Sequence, residues 1–120
     1  MTFEEIKALD HQYVMQSYGR FDVAVDHGRG ATLWDTQGRE YIDFTSGIGV
    51  CSLGYADEGW VNAITEQAGK LGHISNLFYA EPYVKAAEKL CRKAGMSNVF
   101  FANSGAESNE GLIKLARKYS

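Results

Sequence analysis

The passage Val99-Phe100-Phe101-Ala102-Asn103-Ser104-Gly105-Ala106-Glu107-Ser108-Asn109-Glu110 sets the class of this chain. Its apolar run predicts a short buried strand over 98–102. The run stops at Asn103 and Ser104, and a glycine and a helical pattern through Tyr119 follow. Ser104 and Glu107 have the spacing of a capping box. Asn109, Leu112, Ala116 and Tyr119 fall along one helix face. Glu107 and Glu110 lie near the start and Lys114, Arg117 and Lys118 near the end, which complements the helix dipole. Such a helix start presents backbone N–H groups without internal acceptors, and Gly105 leaves room for a ligand, so a phosphate or carboxylate fits there. The alternative is an ordinary capped helix whose Ser104 satisfies only its own N–H groups.

The totals set bounds around that passage. A length of 120 residues allows one domain, near the size where a core is marginal. With 45% hydrophobic and 22% charged residues, the composition is that of a soluble globular protein. A net charge of −3 argues against a nucleic-acid footprint. No apolar run is long enough to span a bilayer, and the N-terminus lacks an apolar signal core, so no membrane role and no secretion are expected. Cys51 and Cys91 lack metal spacing and do not make a disulfide framework, so reduced thiols and a cytoplasmic location are the default.

Upstream, residues 2–17 predict a helix capped by Thr2, with Glu5 in capping-box position and Ile6, Leu9 and Tyr13 on one side. Val23-Ala24-Val25 is a strand candidate, and 26–30 reads as a turn. Its Gly28-Arg29-Gly30 lacks the third glycine and the following helix of a dinucleotide fingerprint. Residues 31–35 and 39–44 flank a Gly38-bearing loop and predict a hairpin, giving a small antiparallel sheet of three strands. The loop 45–55 is apolar and rich in small residues. It should be covered, either at a ligand or partner or as a packed connection inside a core.

Asp57 caps a predicted helix through Leu71, ended by Gly72. After an irregular stretch at 73–80, Pro82 opens a third helix and Gly95 closes it. Arg20 suits an anion, although a solvated or capping arginine is the plainer reading. His11, His27 and His73 have no metal-ligand spacing and are read as structural or surface residues, so no metal site is expected. No Ser/His/Asp set converges in the pattern, and Phe78 and Tyr79 suit either a ligand ring or ordinary packing. Only one strand of the parallel type appears, and a lone strand–helix unit cannot form a covered parallel sheet, so the chain reads as an open α/β domain interrupted after its first such unit.

Taken together, His27-Gly28-Arg29-Gly30, Leu33-Trp34-Asp35 through Gly38, Tyr41-Ile42-Asp43-Phe44, Ser46-Gly47-Ile48-Gly49-Val50, His73 through Tyr79, and Asn103 through Glu110 resemble the N-terminal part of class III aminotransferases of the ornithine and acetylornithine type. The resemblance covers essentially the whole chain. It implies an α/β fold, the N-terminal segment of PLP-dependent transferase fold type I: an N-terminal helix with a small antiparallel sheet over 1–56, then the start of the large cofactor-binding domain over 57–120. It implies pyridoxal 5'-phosphate held by Ser104, Gly105 and Ala106, and a substrate pocket lined by Ile48, Val50 and Tyr79. It further implies a homodimer or higher homo-oligomer, with an ω-amine donor such as N-acetylornithine and 2-oxoglutarate as substrates.

Two departures qualify the resemblance. The family's frequent Gly-His-x-His-Pro run is replaced by Gly54-Tyr55-Ala56-Asp57-Glu58, which bears on the subfamily. The Schiff-base lysine and the acidic partner of the pyridine nitrogen belong to the later part of a longer chain, and Lys70, Lys85, Lys89, Lys93, Lys114 and Lys118 lie in no matching motif. No catalytic residue is therefore assigned, and the 120 residues alone are expected to be inactive and to self-associate. An aminomutase or decarboxylase on the same scaffold, or a non-catalytic phosphate-binding or assembly module, are the alternatives.

Overall fold

Thr2 opens helix α1 (Phe3–Tyr13) with a reciprocal cap: its hydroxyl accepts from the Glu5 N–H and the Glu5 carboxylate accepts from the Thr2 N–H. In the computed structural model, which describes residues 1–120, the chain falls into two units, Met1–Gly72 and His73–Ser120. α1 ends earlier than the periodicity predicts, because Val14 turns extended. The Gln16 amide then folds back onto the carbonyl oxygens of Val14 and of Asp10, the latter also accepting from the Val14 N–H at 2.9 Å. Arg20 pairs with Asp10 at 3.2 Å and Lys7 with Asp22 at 2.6 Å, tying the following segment to the helix. The Arg20 guanidinium, half-exposed, is thus engaged by a carboxylate rather than by a helix-end carbonyl.

The sheet of the first unit is an antiparallel meander, β1 (Val25–Arg29), β2 (Thr32–Asp35) and β3 (Glu40–Ile42). β1 is displaced from the expected Val23–Val25: of the residues expected to turn, His27 to Arg29 pair with β2, Asp26 sits at a bulge between Val25 and His27, and the reversal is at Gly30-Ala31. The pairing explains the shift. His27 stacks on Trp34 across the strands, with ring centroids 5.0 Å apart, and Gly28 lies opposite Leu33. A Cβ at Gly28 would come within 2.7 Å of the Tyr55 ring, so glycine here admits an aromatic side chain onto the strand backbone.

Asp35 closes the β2–β3 hairpin. One carboxylate oxygen accepts from the N–H groups of Gln37 and Arg39, both at 2.9 Å; the other accepts from the Arg39 Nε at 2.7 Å and the Tyr41 hydroxyl at 2.9 Å. At 4% exposure it is the one buried residue of the chain, and no apolar side chain is buried.

α3 (Glu58–Lys70) completes the first unit, capped by the Asp57 carboxylate on the Trp60 N–H at 2.8 Å. Between β3 and α3 lies a single turn, α2 (Ser46–Gly49). In the second unit, α4 (Glu81–Ala94) has Pro82 in its first turn and left-handed Gly95 at its end, and α5 (Gly105–Tyr119) follows Ser104. The expected strand at 98–102 is not a paired strand. A strand is a property of a pair, and no other strand exists in this unit. Its side chains nevertheless alternate between helices: Phe101 meets Tyr83 of α4 with ring centroids 5.0 Å apart, and Phe100 lies against Gly111 of α5.

Burial drives the Asp35 carboxyl up, but the bonds from Arg39, Gln37 and Tyr41 outweigh it and hold the group at about 2, below the ordinary 3.8. A folded-state value below the unfolded one stabilises the sheet fully above the ordinary value, and that stabilisation is lost as pH falls through the folded one. The amide signals of Trp34 through Ile42 should therefore lose dispersion as pH drops from 3.8 toward about 2. Asp35→Asn should flatten that acid limb.

Candidate functional site

At the start of α5 the Ser104 backbone is extended, φ −150° and ψ 162°, and its hydroxyl oxygen accepts from the Glu107 N–H at 3.2 Å. The first intrahelical bond runs from the Ser108 N–H to the Ser104 carbonyl at 3.0 Å. Between these, the N–H groups of Gly105 and Ala106 have no acceptor in the chain. The capping box is altered: the Glu107 carboxylate accepts from the N–H of Asn103 at 2.7 Å rather than from that of Ser104. Two exposed N–H groups and a hydroxyl whose proton is uncommitted thus sit at the positive end of a 15-residue helix.

Gly105 is not demanded by the fold. Its φ lies outside the left-handed range, and a Cβ placed there would meet nothing within 4 Å. What its missing side chain leaves open is space in front of the helix. The donor set and that opening fit the phosphate of the cofactor that the sequence resemblance implies.

Ser104, Gly105 and Ala106 are brought together by α5, and Tyr79, fully exposed just before α4, belongs to the same unit. Ile48 and Val50 belong to the first unit, at 94% and 80% exposure. The loop 45–55 is therefore not a packed connection inside a core of this chain. An apolar run is buried only where a second surface meets it, and here Val50, Leu53, Tyr55 and Trp60 instead line an open cleft of about 520 Å³.

Two features of that loop escaped the sequence reading. Ser46, Gly47, Ile48 and Gly49 all have positive φ, at 48°, 58°, 60° and 79°. For non-glycine residues this conformation costs roughly 1–2 kcal/mol each, and a β-branched isoleucine is an outlier there. The second feature is Asp43. Its Oδ1 accepts from the Thr45 N–H at 2.7 Å, the Thr45 hydroxyl at 2.6 Å and the Ser46 N–H at 3.1 Å, and its Oδ2 accepts from the Tyr55 hydroxyl at 2.7 Å. The bonds from Thr45 and Tyr55 hold the Asp43 carboxyl at about 2, and the same carboxylate pushes the Tyr55 hydroxyl up to about 12. An Asp at a strand end followed by Thr and Ser is a legible turn signal; its tie to Tyr55, twelve residues on, is not.

The class-III aminotransferase family matches residues 13–120. The chain belongs to that family. Among its class-III relatives, the acetylornithine aminotransferase of Haemophilus ducreyi is 56% identical over 120 residues, covering 100% of this chain and 30% of that protein. The crystal structure of acetylornithine aminotransferase from Elizabethkingia anophelis aligns with a TM-score of 0.94 at 33% identity, over 100% of this chain and 31% of that one. Taurine:2-oxoglutarate aminotransferase from Bifidobacterium kashiwanohense, solved with PLP and glutamate, aligns with a TM-score of 0.89 at 34% identity, over 98% of this chain and 28% of that one. The chain thus spans about 30% of the length of the acetylornithine aminotransferase it matches. Its α/β elements are the N-terminal segment of the class-III aminotransferase fold.

Because Gly105 has ordinary backbone angles and open space, Gly105→Ala should leave thermal unfolding unchanged or stabilise it by up to about 1 kcal/mol. A loss of stability measured by circular dichroism would contradict this description of the helix start.

Proposed function

We propose that this chain is the N-terminal portion of a pyridoxal-phosphate-dependent aminotransferase that moves an amino group from an ω-amine donor such as N-acetylornithine to 2-oxoglutarate. The observation that carries the proposal is the pair of unsatisfied N–H groups of Gly105 and Ala106 beside the Ser104 hydroxyl. Three donors converging at a helix start suit a phosphate better than a planar carboxylate, because a phosphate offers three terminal oxygens. Ser104 would hold the phosphate through its hydroxyl proton while its oxygen still caps the Glu107 N–H. Gly105 and Ala106 would hold it through their N–H groups, at the positive end of the α5 dipole. When bound, the cofactor supplies the electron sink for amino-group transfer.

In this reading Ile48 and Val50 of the first unit and Tyr79 of the second are substrate contacts, each exposed in the chain. Residues 1–56 form the N-terminal segment and 57–120 begin the cofactor-binding domain of the longer protein. That protein works as a homodimer or higher homo-oligomer in the cytoplasm. The lysine that holds the cofactor covalently lies outside these 120 residues.

In the full-length protein, Ser104→Ala should weaken pyridoxal phosphate binding about 10-fold, the worth of one charge-assisted hydrogen bond, and leave pyridoxal binding nearly unchanged. Absorbance titration with the two compounds checks this, and equal uptake of both by the unsubstituted protein would refute the phosphate site. The 120-residue chain alone should turn over no amino donor. Borohydride reduction in the presence of pyridoxal phosphate, followed by mass mapping, should label none of its lysines preferentially.

A further inference from the structure

Strain at Ile48 is unexplained by anything the side chain touches. The residue sits at φ 60° and ψ 47°, and its side chain is 94% exposed, so no packing within the chain offsets the conformation. The turn is instead held from outside itself. Asp43 grips its entry through the Thr45 N–H, the Thr45 hydroxyl and the Ser46 N–H. The turn closes on backbone bonds from the Gly49 N–H to the Thr45 carbonyl at 3.0 Å and from the Val50 and Cys51 N–H groups to the Ser46 carbonyl, the latter at 2.8 Å.

Asp43 is in turn anchored by Tyr55. That residue exchanges two backbone bonds with Gly30, at 2.9 and 2.8 Å, and lays its ring on Gly28. A continuous path therefore runs from the sheet, through the Tyr55 hydroxyl and the Asp43 carboxylate, to the left-handed turn. Strained backbone persists only where its surroundings over-determine it, and such strain is concentrated at functional positions.

We infer that Asp43 and Tyr55 are positioning residues: they clamp the turn that holds Ile48 out as a rigid apolar contact for the aliphatic chain of the amino donor. This rests on the substrate-contact reading of Ile48 given above. A preformed contact costs no ordering when the donor binds, so the clamp acts on donor affinity rather than on the chemical step.

The test uses the full-length protein and Tyr55→Phe, which keeps the ring against Gly28 and removes only the hydroxyl. Hydrogen exchange at the Gly49 and Cys51 amides should quicken about 10-fold, and KM for N-acetylornithine should rise about 5- to 10-fold with kcat within about 2-fold. In an Ile48→Gly background, Tyr55→Phe should change KM no further, because both variants remove the same contact. Unchanged exchange, an unchanged KM, or additive effects of the two substitutions would each overturn the inference. So would sedimentation showing that Ile48→Gly dissociates the oligomer, which would make Ile48 a subunit contact. An unsubstituted protein that transfers no amino group would overturn the functional reading and this role together, whereas an active one with an unmoved KM overturns only the clamp.

Discussion

The Asp35 carboxylate accepts from two backbone N–H groups, a guanidinium and a phenol, and is the one buried residue in the chain. It fixes the geometry of the β2–β3 hairpin, and the hairpin fixes the register of everything paired to it. β1 lies against β2 through the His27–Trp34 stack and the Gly28–Leu33 pair. Tyr55 then settles on Gly28 and bonds to Gly30, which brings Asp43 within reach of its hydroxyl. A polar anchor can do this without a hydrophobic core because each of its acceptors is matched by a donor, so burial costs it little.

The helices follow a different rule. Each is bounded by local chemistry: Thr2, Asp57 and Ser104 cap starts, Pro82 enters a first turn, and Gly95 takes the left-handed end of α4. None buries its apolar side, and no helix residue is fully covered. Isolated helices of this length are marginal in water, since packing of an apolar face supplies most helical stability in proteins. The relatives that the chain resembles are about three times as long, 30% of one being covered here. The apolar faces of α4 and α5 are exposed and the segment at 98–102 is unpaired.

Two kinds of preorganisation occur in the chain, one in each unit. At α5, donors are left free by the geometry of any helix start, and Ser104 and Gly105 shape the opening without strain. At the turn 45–49, the backbone lies in an unfavourable region beside the Asp43 carboxylate, which the Tyr55 hydroxyl holds. The first can be built by sequence neighbours alone. The second needs Asp43 and Tyr55 to meet across twelve residues, and so exists only once the sheet has formed.

What residues 1–120 determined unaided were the features decided within one or two turns of chain: the caps of α1, α3 and α5, the glycine end of α4, the β2–β3 hairpin around its Gly38 loop, and the donor-rich start at Ser104. Those depend on side chains three or four positions apart, which sequence displays directly. Tertiary structure alone decided the register of β1, where a cross-strand ring stack and a glycine cradle outweighed the local preference of Val23 to Val25 for strand. It also decided that 98–102 stays unpaired, because pairing requires a second strand that no local pattern can supply. It decided, too, that Asp43 beside the left-handed turn is held by Tyr55, because that bond joins positions twelve residues apart.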